Sequence, residues 1–242
     1  MRIFFDTNIL LAASIDGYLK DIEVTHIHHG PAKQLLDQIG KLNDEGKNFG
    51  YVTPTIEEEA RAKITKAINN TINEKWEKGN LGKLSLEKRI ELADSFDLFI
   101  RTSRDNLEKS ISLLIRLPIR ADLRQKKYEE VAQMFNLLDS QYYKEMRQDE
   151  FTLATSTRWK HLREKIGREH QIEVSKAYKA SPGMNDKLLL SEILVLMKEG
   201  EEIFLVSMDG NFVSEWATKE IYSKFKVRAC KPEGLLGRVQ RL

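Results

Sequence analysis

The sequence predicts an α/β fold with a central parallel sheet of four to five strands. Three observations lead there. Four short apolar runs, Arg2–Phe5, Phe49–Thr53, Ile203–Ser207 and Lys226–Cys230, contain the β-branched and aromatic residues that strands prefer. Helix-like segments separate them, as βαβ connections require. Three of the four pass at once into polar or turn residues, which suits strand tips facing a ligand.

The elements follow in order. Arg2–Phe5 reads as a short buried strand, and Asn8–Ala13 opens an apolar helix. Phe49–Thr53 is followed by Pro54, which suits the first turn of a helix, with Ile56 and Ala60 on its core face. From Ile56 to Tyr178 no strand is expected. Asn69–Leu84 is polar and carries Gly79 and Gly82, which marks a loop between helices. Ser85–Leu117 reads as one amphipathic helix, with Ser85 as N-cap, Pro118 beyond its end, and a stripe of Leu86, Ile90, Ala93, Phe96, Ile100, Leu107, Ile111 and Leu114. Tyr128, Val131, Phe135, Leu138 and Tyr142 form a second such stripe. Both stripes read as core between paired helices. "KASPGMNDK" returns the chain to the α/β unit near Ser181. The reading is a discontinuous α/β domain, 1–60 and 180–242, interrupted by a long α-helical insertion, 61–179, packed on it.

Bulk properties bound the function. A chain of 242 residues suits one large domain or a domain with an insertion. A net charge of +2 neither demands nor excludes a nucleic-acid partner, so any basic surface is local. The single cysteine, Cys230, forms no internal disulfide, which fits a reducing cytoplasm. No run of about 18 apolar residues indicates a membrane span, and no leader pattern is read at the N-terminus.

Acids recur where strands give way to helices. Asp6 ends the first strand in "FFDTNIL". Glu57, Glu58 and Glu59 follow the second, and Glu59 lies beside the apolar face of its helix, with Glu58 as the alternative. Asp186 sits in the first turn of the helix "NDKLLLSEIL", and Asp209 follows the third apolar run in "LVSMDGNF". Each could simply be a cap, a dipole-favoured acid or a turn residue. In one parallel sheet, however, strand tips share an edge, so Asp6, Asp186 and Asp209 would converge with Glu59 beside them. Clustered carboxylates raise each other's pKa unless a cation neutralises them. Oxygen ligands without His or Cys favour Mg²⁺ or Mn²⁺.

The order of these segments resembles the PIN-domain nuclease family. "RIFFDTNIL" is similar to the family's opening strand and D-T-[NS]-x-[LIV] signature. "TPTIEEEA" and "NDKLLLSEIL" resemble its second and third acidic motifs, and "LVSMDGNF" its [TS]-x-D-x-[DN]-F motif. "VRACKPEGLL" resembles its last strand. These segments span about half the chain. The resemblance implies a three-layer α/β/α nuclease that uses Mg²⁺ or Mn²⁺ to cut RNA, leaving 3′-hydroxyl and 5′-phosphate ends. Asp6 would be the central metal ligand. Asp186 and Asp209 would complete the set directly or through water, and Glu59 would be a ligand or orient water. Thr7, Asn8, Ser207 and Asn211 would orient carboxylates or touch phosphate. Many bacterial relatives are toxins restrained by an antitoxin, so an antitoxin, a defence-complex protein and a second copy of the chain are the protein partners to consider. RNA is the expected substrate, with single-stranded DNA the other. The long insertion departs from the compact toxin members.

Two further stretches carry chemistry. "THIHHG" places His26, His28 and His29 in a loop, without the fourth ligand a zinc site needs. In 157–170, Arg158, Trp159, Lys160, Arg163, Lys165 and Arg168 suit an RNA backbone and a stacked base as well as a solvated helix face. Arg116, Arg120 and Arg124 form a similar cluster. The competing functions are a catalytically inactive PIN-like scaffold that binds RNA or protein, and a phosphatase of the haloacid-dehalogenase type. The latter wants an acid where this chain has Asn8.

Overall fold

The computed structural model describes residues 1–19, 22–77, 85–148 and 183–242. β1 (Arg2–Phe5) leads into α1 (Thr7–Ser14), then into the strands β2 (Asp16–Leu19) and β3 (Ile22–Thr25) and into α2 (His29–Asp44). β4 (Gly50–Val52), α3 (Pro54–Glu77), α4 (Leu86–Ser112), β5 (Ile115–Arg116) and α5 (Ala121–Gln148) follow. After residue 182 come α6 (Met184–Leu196), β6 (Ile203–Val206), the short α7 (Gly210–Val213), α8 (Glu215–Phe225), β7 (Val227–Cys230) and α9 (Pro232–Val239).

The protein is α/β, with a five-stranded sheet in the order β5-β4-β1-β6-β7. Every pairing in it is parallel, with Phe4 opposite Tyr51 on one side and Leu205 on the other. Ile3, Phe4 and Phe5 are buried, and so is all of Ile203–Val206. Successive strand residues point to opposite faces, so unbroken burial means that both faces are covered. Gly50 is required by this packing: a Cβ there would stand 2.0 Å from Ile39 Cγ2 of α2. α1 is buried almost all round, because α2, α3 and α4 pack against it. Among the described residues no helix is long and apolar enough to cross a membrane.

The four expected strands all form. The expectation of no strand between Ile56 and Tyr178 fails at β5, which pairs with β4 and lies inside the stretch read as one helix over Ser85–Leu117. Two residues are too short to show a period of two. α3 continues through much of Asn69–Leu84, with Thr71 and Ile72 buried, so the polar composition misled there; residues 78–84 lie outside the described ones. The core face of α4 also differs from the expected stripe. Ile90 is exposed, while Leu92, Phe99, Leu107 and Ile111 are buried. In α5, Val131, Met134 and Phe135 are buried. The side chains of Leu86, Ala93, Leu138 and Tyr142 lie outside the described ones. The antiparallel pair β2–β3 was not expected at all.

Candidate functional site at the strand tips

β1 is the central strand, and strand order reverses beside it: the chain moves from β1 to β4 and β5 on one side, then to β6 and β7 on the other. Ligands of open α/β sheets bind at the carboxyl ends of strands at such a reversal. Asp6 stands there, 5% exposed. It occupies the N-cap position of α1, yet its side chain makes no capping bond. Instead Asp6 Oδ2 accepts from Ser207 Oγ at 2.6 Å and from Asn8 Nδ2 at 2.7 Å. Burial pushes the Asp6 carboxyl up to about 7; the Ser207 hydrogen bond opposes this, and the charges of Asp186 and Asp209 add to it.

The tip of β6 is tied to that of β1. Ser207 Oγ accepts from the Asp209 N–H at 2.9 Å, and Asn8 Oδ1 accepts from the Met208 N–H at 3.1 Å. Asp209 caps α7 by accepting the Asn211 N–H at 2.8 Å. Asn211 is itself buried, and its Oδ1 has no hydrogen-bond partner. Asp186 also caps: its Oδ2 accepts the Gly183 N–H at 2.9 Å. Its carboxyl is nevertheless pushed up to about 6, by burial first and then by Asp209 and Glu59, against Gly183 and Lys63.

Of the three consecutive glutamates, Glu58 is exposed, Glu57 pairs with Arg61 and Arg116, and Glu59 turns to the site. Glu59 Oε2 accepts from Thr7 Oγ1 at 2.8 Å, and Oε1 pairs with Lys63. Burial pushes this carboxyl up, but hydrogen bonds from Asn185, Lys63 and Thr7, with the charge of Lys63, hold it below its usual range.

The strand tips therefore gather Asp6, Asp186, Asp209 and Glu59, with Thr7, Asn8, Ser207 and Asn211 among them. Among the described residues no three His, Cys, Asp or Glu side chains are disposed to hold one metal ion in this arrangement. Sequence reasoning missed Asn185 and Lys63. The signals were slight: an amide beside Asp186, and a lysine one turn after Glu59. It also missed Thr53, buried just past the tip of β4, the strand that pairs with β1, with its Oγ1 unpartnered.

The other marked stretches part from the site. His29 begins α2, with Nε2 3.3 Å from Asp16 Oδ2 and Nδ1 3.2 Å from Ala12 O. The His26 Nδ1 accepts the His28 N–H at 3.2 Å. Arg116, Arg120 and Arg124 pair with Glu57, Asp122 and Glu192, so that cluster is internally neutralised. Arg158, Trp159, Lys160, Arg163, Lys165 and Arg168 lie outside the described residues. Compared with protein families, with curated proteins and with solved structures, the chain gives no match.

Proposed function

We propose that this chain is a PIN-like nuclease of three-layer α/β/α type, using Mg²⁺ or Mn²⁺ to hydrolyse phosphodiester bonds in RNA. One observation carries the reading. A buried aspartate at the central strand tip, where strand order reverses, stands within the fields of Asp186 and Asp209. Such acids repel one another, and a divalent cation relieves the repulsion. The chemistry of the donor set fits a hard cation, because the acids at the strand tips are carboxylates with no imidazole or thiolate among them, and Asn211, whose N–H is held by Asp209, has a buried Oδ1 without a partner. Asp6, Asp186 and Asp209 would hold the ion, with Glu59 as a further ligand or a water-orienting group. When bound, the ion would supply Lewis acidity that activates water and stabilises charge on the phosphodiester oxygens.

The chain's own residues set the stage. Ser207 and Asn8 fix Asp6, and the Gly183 amide and the α7 turn fix Asp186 and Asp209. Thr7 and Asn185 hold Glu59. The test is cleavage of labelled RNA and DNA by wild type and Asp6→Asn, with Mg²⁺, Mn²⁺ or EDTA. RNA cut by wild type only with metal, and not by Asp6→Asn, is the expected result. Equal cutting by both proteins, or no cutting and no Mn²⁺ binding, would overturn the reading.

A second reading is an RNA- or protein-binding scaffold without catalysis. It is favoured by the acids' present spacing, which holds no three of them ready for one ion. Mn²⁺ titration decides between the two, since a scaffold would leave Asp6 without an ion.

A further inference from the structure

Lys63 is set in an unusual way for a helix-surface lysine. A Glu–Lys pair four residues apart ordinarily lies along the solvent face, and both groups stay wet. Here the glutamate is not wet: the Glu59 side chain is 9% exposed and that of Lys63 is 55%. The lysine reaches inward along α3 to the carboxylate. Both oxygens of that carboxylate are already engaged, Oε1 by Lys63 and Oε2 by Thr7, with Asn185 of α6 as a further donor. The charge of Lys63 is also felt by Asp186 on α6. One ammonium group thus pairs with the acid on α3 and weakly offsets the charge of the one on α6.

We propose that Lys63 is a built-in counter-cation that competes with a divalent ion for Glu59, and so sets how tightly the site takes metal. The inference rests on the nuclease reading above. Thr7 and Asn185 are neutral donors, so they orient Glu59 without cancelling its charge. Lys63 cancels it. An ion drawing on Glu59 must displace that ammonium, and the energy of the pair is lost from the ion's affinity. Once displaced, Lys63 stays at the mouth of the site as a free cation, where it can meet a phosphate oxygen of the substrate.

The test is Mn²⁺ titration by calorimetry, without RNA, on wild type, Lys63→Met, Lys63→Arg and Lys41→Met. Lys41 is exposed on α2, so its loss controls for a change of net charge. Lys63→Met is expected to bind Mn²⁺ about fivefold more tightly, the effect of releasing one ion pair of modest strength. Lys63→Arg keeps the cation and stays near wild type, as does Lys41→Met. A Lys63→Met affinity equal to or weaker than wild type, with wild type binding Mn²⁺, would overturn the role of Lys63 and leave the nuclease reading standing. An equal gain in Lys41→Met would overturn it too, because the effect would then be general charge. Wild type that binds no Mn²⁺ at all would overturn both.

Discussion

At Asp6 burial and two neighbouring carboxylates act together against ionisation, and the carboxyl keeps its proton up to about pH 7. Asp186 keeps its proton to about 6 for related reasons. In an unfolded chain both would ionise near pH 4. Between those limits the native state binds more protons than the unfolded one, so its stability is greatest at the acidic end and falls as pH rises. The melting temperature in EDTA, followed by circular dichroism, should fall from pH 5.5 to 8. Asp6→Asn should flatten that slope; an unchanged slope would mean that Asp6 is not its source. Cys230 gives a second expectation at this scale. Burial pushes its thiol up to about 11, so little thiolate is present at pH 8. Its reaction with a disulfide reagent should be at least about tenfold slower in the folded protein than in urea. Asp6 could be picked out from the sequence because a carboxylate ending an apolar strand serves no packing need. Asn185 and Lys63 could not, because their importance arises where α3 and α6, distant in sequence, pack against each other.

Among the elements, α6 and α5 are joined by a buried charge. Glu192 on α6 is fully buried and accepts from Thr55 Oγ1 at 2.7 Å and Arg124 Nη1 at 3.2 Å. Removing the arginine leaves a buried carboxylate that still accepts from the Thr55 hydroxyl and N–H but has lost its counter-charge. Arg124 is 38% exposed, which softens the loss. Arg124→Ala should cost about 2 kcal/mol in urea unfolding, between an exposed pair and a fully buried one. Lys33→Ala, which breaks the exposed pair with Asp37, should cost under about 1 kcal/mol. Equal costs would mean that burial of Glu192 is immaterial. At β4, Gly50→Ala would drive a methyl into Ile39 and should cost about 2 kcal/mol by overpacking. The strands β1, β4, β6 and β7 were legible because each is a compact apolar run. β5 was not, since two residues carry no pattern, and the β2–β3 pair escaped because "DGYL" and "IEVT" are half polar. The first half of α4 presents Leu92 and Phe99 to the core rather than Ile90, a choice made by its neighbours α1 and β2.

For the whole molecule a net charge of +2 offers little general attraction for RNA, so the affinity that the proposed nuclease needs would come from local cations. Arg116 and Arg120 are spent on Glu57 and Asp122. Replacing both with Gln should therefore change RNA affinity and its salt dependence little. Replacing Arg158, Lys160, Arg163, Lys165 and Arg168 with Gln should weaken binding and lower the salt slope, as fewer counterions are released. Filter binding at several salt concentrations checks both, and a larger loss from the Arg116 and Arg120 pair would contradict this division. The linear order of residues was enough for the α/β class, for four of the five sheet strands and for the acids at their ends, because these are local patterns of hydrophobicity and polarity. Folding alone decided that Asp6 does not cap its helix and that Lys63 and Asn185 close on Glu59, whereas the preference for Glu59 over Glu58 already followed from its place beside the apolar face of the helix. Those outcomes depend on how α3, α6 and the tips of β1 and β6 meet, and contacts between elements distant in sequence leave no period in the chain.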